Sequence, residues 1–509
     1  MSAGMTSAAG TTAHGFLLVL AVFLPLAGAL VALVVGGRNS ERVAFIVMPF
    51  GVATALAIAW CVSRSHAVLQ YLVGGWPPPL GVALRADGLS AVMIVAAGLL
   101  VPAIGLFAHA PFASRLGAEA RAPTVFWTLL LAAWGALNAV FLGADLFNLF
   151  VAFELLTFAA VPLVCLDGRA ETLAAALRYV LFALFGSVLY LLGTVLLYGA
   201  YGTLDIGLLA SRIRAEPAAW AALSLMTAGL LAKTALYPFH LWLPPAHAGA
   251  PAPASAILSG LVVKAPFFVV VRLWFGVAPA LAERWAAQLL GVLAAAAILV
   301  GSVVALRQAR LKLLIAYSTV AQIGYLFLMF PLAAGVATGR PWAMTAWTAG
   351  ALQAVSHAFA KAAMFMAAGL IAEALGHDRI ADLGGIGRAL PVTVFAFGLG
   401  GMSLMGLPPS GGFVAKAMLL TAAVAAGQWW WALVVLLGGL LAGGYVFLVL
   451  ARALADAREP VLPLARISPT RQGVVLAVAL VAVVLGFTPL RPWALLAIGR
   501  PDAALLGLK

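Results

Sequence analysis

Fourteen apolar stretches of roughly 20 residues or more divide this 509-residue chain almost without remainder. A helix needs about 20 residues to cross the ~30 Å hydrocarbon core of a bilayer, so each stretch is long enough to span one. They fall near 16–36, 42–62, 88–109, 124–142, 144–166, 173–199, 219–242, 254–277, 285–306, 311–331, 342–374, 391–425, 430–453 and 472–492. Nothing between them is long enough for a soluble domain. The first lacks a basic leader and a convincing cleavage site, so it reads as a retained helix and not a signal peptide. Only 9% of residues are charged and 65% are hydrophobic, whereas charged residues approach a quarter of a soluble chain. The expected fold is all-α and polytopic, a single membrane domain with about 14 transmembrane helices.

Lys and Arg total 29 against 16 Asp and Glu, a formal charge of +13. A nucleic-acid footprint needs clustered charge, and here the cations stand singly between apolar runs, so the partner they fit is the lipid bilayer. Their use is orientation. Loops after odd-numbered spans hold Arg38, Arg42, Arg115, Arg121, Arg169, Arg307, Arg310, Lys312, Arg379, Arg388, Arg452, Arg458, Arg466 and Arg471. The termini and the other loops hold Arg64, Arg85, Arg212, Arg214, Arg284, Arg340, Arg491, Arg500 and Lys509. Basic loops stay in the cytoplasm, which predicts both termini on the outer face. Two cysteines, Cys61 and Cys165, are too few for a disulfide scaffold or a cysteine-ligated iron–sulfur cluster.

Two spans are interrupted. The seventh contains Leu231-Ala-Lys-Thr-Ala-Leu-Tyr-Pro-Phe-His240, and the twelfth Gly406-Leu-Pro-Pro-Ser-Gly-Gly-Phe413. Proline removes a backbone donor and clashes with the preceding turn, so Pro238, Pro408 and Pro409 mark helix breaks. Broken backbone at membrane depth survives only where protein or internal water meets its free polar groups. Two such helices five spans apart are the pattern of paired structural repeats in transporters.

The remaining anomaly lies in the lysines. There are six, and four of them fall well inside spans: Lys233, Lys264, Lys361 and Lys416. Apart from arginines at the very edge of a span, only Arg178 and Arg272 fall inside one, each near enough to an end to snorkel. Glu154 sits in the fifth span, ~15 Å of helix from its start. A charge at the bilayer centre costs roughly 2.5–3.5 kcal/mol, so five together cost on the order of 12–18, more than a typical domain's net stability. These groups must pair, shed protons or face water. Burial can take the proton from an ammonium near neutral pH but not from a guanidinium. Arginine outside and lysine inside is the distribution a proton relay requires. One carboxylate for four lysines leaves fixed ion pairing as the explanation of a minority. His357 stands four residues before Lys361, on the same helix face, and an imidazole beside a lysine makes a proton-transfer pair. His240 and His247 flank the proline-rich end of the seventh span as secondary candidates. Their spacing does not suggest haem, and no metal cluster or nucleophile marks an enzyme; neither cofactor nor metal is expected.

The sequence resembles the antiporter-like membrane subunits shared by respiratory complex I, membrane-bound hydrogenases and Mrp-type sodium/proton antiporters. The matching segments are Phe147-Asn-Leu-Phe-Val-Ala-Phe-Glu154, Ala232-Lys-Thr-Ala-Leu-Tyr-Pro-Phe-His-Leu-Trp-Leu-Pro-Pro-Ala-His247, Ala316-Tyr-Ser-Thr-Val-Ala-Gln-Ile-Gly-Tyr325, Ser356-His-Ala-Phe-Ala-Lys361 and Gly406-Leu-Pro-Pro-Ser-Gly-Gly-Phe-Val-Ala-Lys416. The segment from Gly74 to Asp87 looks most like the D-type subunits of Mrp antiporters. The resemblance implies three N-terminal helices in 1–123, then two inverted five-helix repeats, 124–277 and 285–453, and a last helix and tail in 472–509. It also implies roles: Glu154 as the fifth-helix carboxylate, Lys233 as its partner, Lys264 and Lys361 with His357 as the central relay, and Lys416 as the terminal lysine. Pro266, where the family usually has Gly, and Ser410-Gly-Gly412, in place of Leu-Ser-Gly, depart from the pattern. The expected function is proton translocation coupled to sodium export in a bacterial-type inner membrane, alongside other membrane subunits. The alternative is the same relay inside a redox-driven complex whose cofactors belong to partners.

Overall fold

Each apolar run forms helix in a computed structural model, which describes residues 10–112, 121–281, 284–334, 340–456, 464–487 and 494–500. Among the described residues, twelve helices are long and apolar enough to cross a membrane: α1 Phe16–Val35, α2 Gly37–Ser65, α3 Gly88–Ala108, α4 Arg121–Leu142, α5 Leu146–Val164, α6 Ala170–Tyr201, α7 Pro217–Gly249, α8 Ala252–Val277, α9 Arg284–Leu306, α10 Leu311–Ala333, α11 Pro341–Leu375 and α13 Trp429–Leu454. Between the last two lies α12 in two halves, Pro391–Met405 and Gly411–Ala425, and α14 is the shorter Pro469–Val484. The expected fourteen segments are all present, and the chain is a multi-pass membrane protein. Arg115, Arg458, Arg491 and Lys509, four of the cations that bear on its orientation, lie outside the described residues.

Lipid tails are as apolar as the helices, so membrane helices associate through close packing and internal polar contacts. That packing ranks them. The apolar window of α8 is buried along its whole length, and α10 and α11 nearly so, whereas α1, α2, α6 and α13 turn most of theirs outward. The intramembrane lysines other than Lys233 thus sit on or beside the three most enclosed helices.

Two details differ from the sequence reading. Residues after α2 form a hairpin, β1 Leu69–Leu72 against β2 Ala83–Ala86, with Leu69 opposite Ala86 and Leu72 opposite Ala83. Strands of four residues are too short to stand out beside 20-residue helices. The fourteenth span was expected to reach residue 492, but α14 ends at Val484. Its following turn packs on the α12 break: a Cβ at Gly486 would lie 2.5 Å from the Ser410 backbone.

Arg272 also behaves differently from a snorkelling residue. Arg178 is exposed, as snorkelling requires, but Arg272 turns inward and pairs with Asp87, the N-cap of α3, donating 2.6 Å to Asp87 Oδ1 and 2.9 Å to Ser90 Oγ. Burial alone would raise the Asp87 carboxyl, but Arg272, Arg85 and the Ser90 N–H together hold it below its ordinary 3.8. A depressed carboxyl contributes its stability above the ordinary value and loses it as pH falls through the folded one. The clamp between α3 and α8 therefore holds at every physiological pH. Arg272→Met should destabilise the protein by about 3 kcal/mol, because it strands a buried carboxylate; thermal melts in detergent check this, and adding Asp87→Asn should recover part of the loss.

Candidate functional site

Glu154 and Lys233 meet where α6 crosses α7. Gly186 and Gly229 meet there so closely that a Cβ on Gly229 would come 2.3 Å from the Gly186 carbonyl oxygen. That approach brings the α6 hydroxyl of Ser187 onto Glu154 of α5, to which it donates. Lys233 Nζ lies 3.5 Å from Glu154 Oε1 and 3.5 Å from Thr157 Oγ1, with the Phe153 ring 5.6 Å away. The Lys233 side chain is 7% exposed and that of Glu154 20%. At 3.5 Å the contact is longer than a strong charge-assisted bond. Gly186→Val should push α6 off α7 and loosen this pair, lowering any activity that depends on it by about tenfold at unchanged expression, a loss that transport assays of the variant would detect.

Lys233 occupies the last turn of the first half of α7, which ends at Thr234 with Ala235 in the left-handed region, φ 60°. The carbonyl end of a helix carries partial negative charge and favours a cation there. Beyond the break, the chain continues through Phe239–Trp242 and Leu243–Gly249. A small cavity of about 20 Å³ opens beside Lys233, lined by Thr157, Tyr179, Trp242 and, from α8, Val262 and Pro266. A water molecule needs ~10–15 Å³ of such space, so one fits between Lys233 and α8. Pro266, where the resemblance leads one to expect glycine, forms part of this wall.

On α8, residues Leu258–Val262 widen into a π turn just before Lys264. Such turns disturb the hydrogen-bond ladder and recur at functional sites. The fully buried Lys264 ammonium donates to the Ser259 carbonyl inside that turn, and Ser259 Oγ meets Thr319 Oγ1 of α10 at 2.9 Å. Lys361 on α11, also fully buried, donates to the Ile315 carbonyl at 2.9 Å and to the Ser318 hydroxyl. His357 lies one turn before it, 1% exposed, and neither ring nitrogen has a partner among the described residues. The charges that act on its ring are those of Lys264, Lys361 and Lys416.

The last lysine stands past the α12 break. Gly406, at φ 82°, adopts a conformation that side chains resist, and a Cβ there would lie 2.7 Å from Lys416 Cδ. Ser410 caps the second half-helix, accepting from Phe413 N at 3.1 Å. Lys416 lies one turn further on, reaches back across the break to donate to the Leu404 carbonyl, and sits 4.1 Å above the Tyr325 ring.

Of the secondary candidates, His240 stacks on Tyr237 and His247 on Phe365. His247 is fully buried with both nitrogens unpartnered among the described residues, and the charges acting on it are those of Lys361, Lys312 and Lys264. It faces the same interior as the lysines. His240 and His357 share no hydrogen bond with any of them among the described residues. No group of three or more His, Cys, Asp or Glu side chains able to hold a metal is found among the described residues.

Of the four intramembrane lysines, Lys233 alone has a carboxylate partner among the described residues. The other three donate to main-chain carbonyls, two of them where helix geometry is broken. Sequence reasoning missed these acceptors, and with them Ser187, Thr157, Ser259, Ser318 and Thr319. The adjacent hydroxyls of Ser318 and Thr319 were the available signal.

Residues 143–442 match the family model described as NADH:quinone oxidoreductase/Mrp antiporter, transmembrane. The NADH-quinone oxidoreductase subunit N of Desulforudis audaxviator is 34% identical over 479 residues, covering 89% of this chain and 91% of that one. The D subunit of the Na(+)/H(+) antiporter of Alkalihalophilus pseudofirmus is 29% identical and covers 68% of each. Among solved structures, a chain of the Mrp complex from Dietzia sp. superposes with a TM-score of 0.86 at 26% identity, over 98% of this chain and all of that one. Its motifs, its two broken helices and these matches agree: the chain belongs to the NADH:quinone oxidoreductase/Mrp antiporter transmembrane family.

Proposed function

We propose that this chain is the proton-translocating subunit of a multi-subunit cation/proton antiporter, exporting sodium or another monovalent cation at the expense of protons. Protons would move through Glu154 and Lys233, then Lys264, His357 and Lys361, and finally Lys416, with internal water between them. A carboxylate beside an ammonium favours the charged pair; drawing Glu154 and Lys233 apart therefore sends the proton onward, toward the water-sized cavity and α8. The two repeats would form two half-channels, each opened at its broken helix. The observation that carries this reading is the set of buried ammonium groups at Lys264, Lys361 and Lys416, held by hydroxyls and carbonyls with no fixed counter-ion among the described residues. Fixed pairs would be expected of a merely structural role, and neutral or shuttling lysines of a relay.

The neighbours this reading requires are other membrane subunits, and sodium is the coupling ion that the Alkalihalophilus antiporter relative supports. With odd-numbered loops in the cytoplasm, both termini face outward. The second reading, a redox-driven complex, has its own support in the 34% identity to a quinone oxidoreductase subunit over most of the chain. Purification on this subunit in mild detergent separates the two. Small multi-pass subunits and sodium-dependent proton flux in proteoliposomes are expected; co-purifying iron–sulfur or hydrogenase subunits, with flux that needs an electron donor, would replace the first reading by the second.

A further inference from the structure

The α12 break leaves one acceptor whose fate follows from the sequence. In a continuous helix the carbonyl of residue 404 would take the N–H of residue 408. Residue 408 is proline, which has no N–H, so the Leu404 carbonyl is released at membrane depth. Lys416 Nζ donates to it, and so does a second group: Gln322 Nε2 of α10, at 3.0 Å.

That carbonyl also sets the orientation of two buried amides. It can only accept, so Gln322 must turn its nitrogen toward it and its oxygen away. Gln353 of α11 then donates to Gln322 Oε1 at 3.0 Å, which leaves Gln353 Oε1 pointing onward. Gln322 is 0% and Gln353 2% exposed, and Gln353 Oε1 has no partner among the described residues. Four residues along the same face stands His357, whose two nitrogens are equally unpartnered. Unpaired polar atoms buried together call for a water or a proton donor between them.

We propose that Gln322 is a positioning residue for the proton step at Lys416, and that Gln353 links it to His357. The inference rests on the relay described above. Gln322 and the ammonium share one carbonyl, so a firmer hold by the amide loosens the hold on the ammonium. A protonated His357 donates, directly or through water, to Gln353 Oε1. Each bond in a chain polarises the next, so the Gln322 amide then binds Leu404 more tightly and Lys416 gives up its proton more readily. Protonation of the central helix thereby favours emptying the terminal lysine, which lies ready for the next proton.

Among the described residues, Tyr325 of α10 lies under Lys416 and Tyr445 of α13 accepts from Gln322 at 3.5 Å. His357 of α11 feels the charges of Lys264 of α8, Lys361 of α11 and Lys416 itself, and Arg471, at the far end of α14, is paired with Glu373. The first half of α12 and the Met329–Ala333 segment contribute none.

The test is proton flux against pH in proteoliposomes of the assembled complex. Gln322→Met keeps the volume and removes the donor, so Lys416 keeps the carbonyl to itself; the alkaline limb of the profile should move up by about 0.5–1 pH unit, the size of one modest hydrogen bond. Flux at neutral pH should fall several-fold. Gln322→His, which restores an N–H donor, should return the profile toward wild type. Gln353→Met should shift it in the same direction by less, and decides the matter where Gln322→Met fails to assemble. Wild-type profiles in both Met variants would overturn the inference while leaving the relay standing. A wild-type complex with no proton flux would instead overturn the relay on which the inference rests.

Discussion

Lys416→Arg is expected to stop proton transfer as completely as Lys416→Ala, by about 100-fold or more, the usual yield of a positioned acid or base. Arginine keeps the positive charge and can reach the Leu404 carbonyl released by Pro408. It cannot release a proton at any accessible pH. If charge alone shaped a cation path or held the break closed, arginine would serve and alanine would not. Comparing the two variants in one assembled complex therefore separates titration from electrostatics. The long stem also matters: Gly406 leaves room for Lys416 Cδ and for little else.

Lys361→Met is expected to abolish transport while making the protein more stable. The lysine is fully buried and meets no carboxylate among the described residues; its ammonium is held by the Ile315 carbonyl and the Ser318 hydroxyl. Those two are not orphaned by its loss, since Ser318 Oγ already donates to Ile315 O at 2.9 Å. Exchanging a desolvated ion for a hydrophobic side chain of similar volume is neutral or stabilising by about 1–4 kcal/mol. A higher melting temperature together with a ~100-fold loss of flux is the signature of a residue kept for chemistry. A lower melting temperature with flux retained would mean that Lys361 serves the fold.

The lysines were legible because a charge within an apolar run leaves an unmistakable mark, and the broken helices because proline does. The partners of those lysines were not, since a main-chain acceptor leaves no trace in a sequence. The exception is Leu404, where a proline four residues on marks the carbonyl as free. Gln322 lies inside one of the family motifs, but an uncharged amide does not stand out among helix residues. The Arg272–Asp87 pair joins residues 185 apart in the chain, so proximity to a helix end suggested snorkelling where the fold supplies a counter-ion. The short hairpin and the early end of α14 escaped for a similar reason: each is set by what packs against it, the α12 break in the second case.

Lys233→Ala bears on the central claim most directly, because among the described residues Lys233 alone of the four lysines pairs with a carboxylate, and it stands beside a cavity lined on its far side by α8. The variant complex should assemble at wild-type yield and, reconstituted into proteoliposomes, pass protons at no more than about one-hundredth of the wild-type rate. Wild-type proton flux through a fully assembled Lys233→Ala complex would contradict the relay.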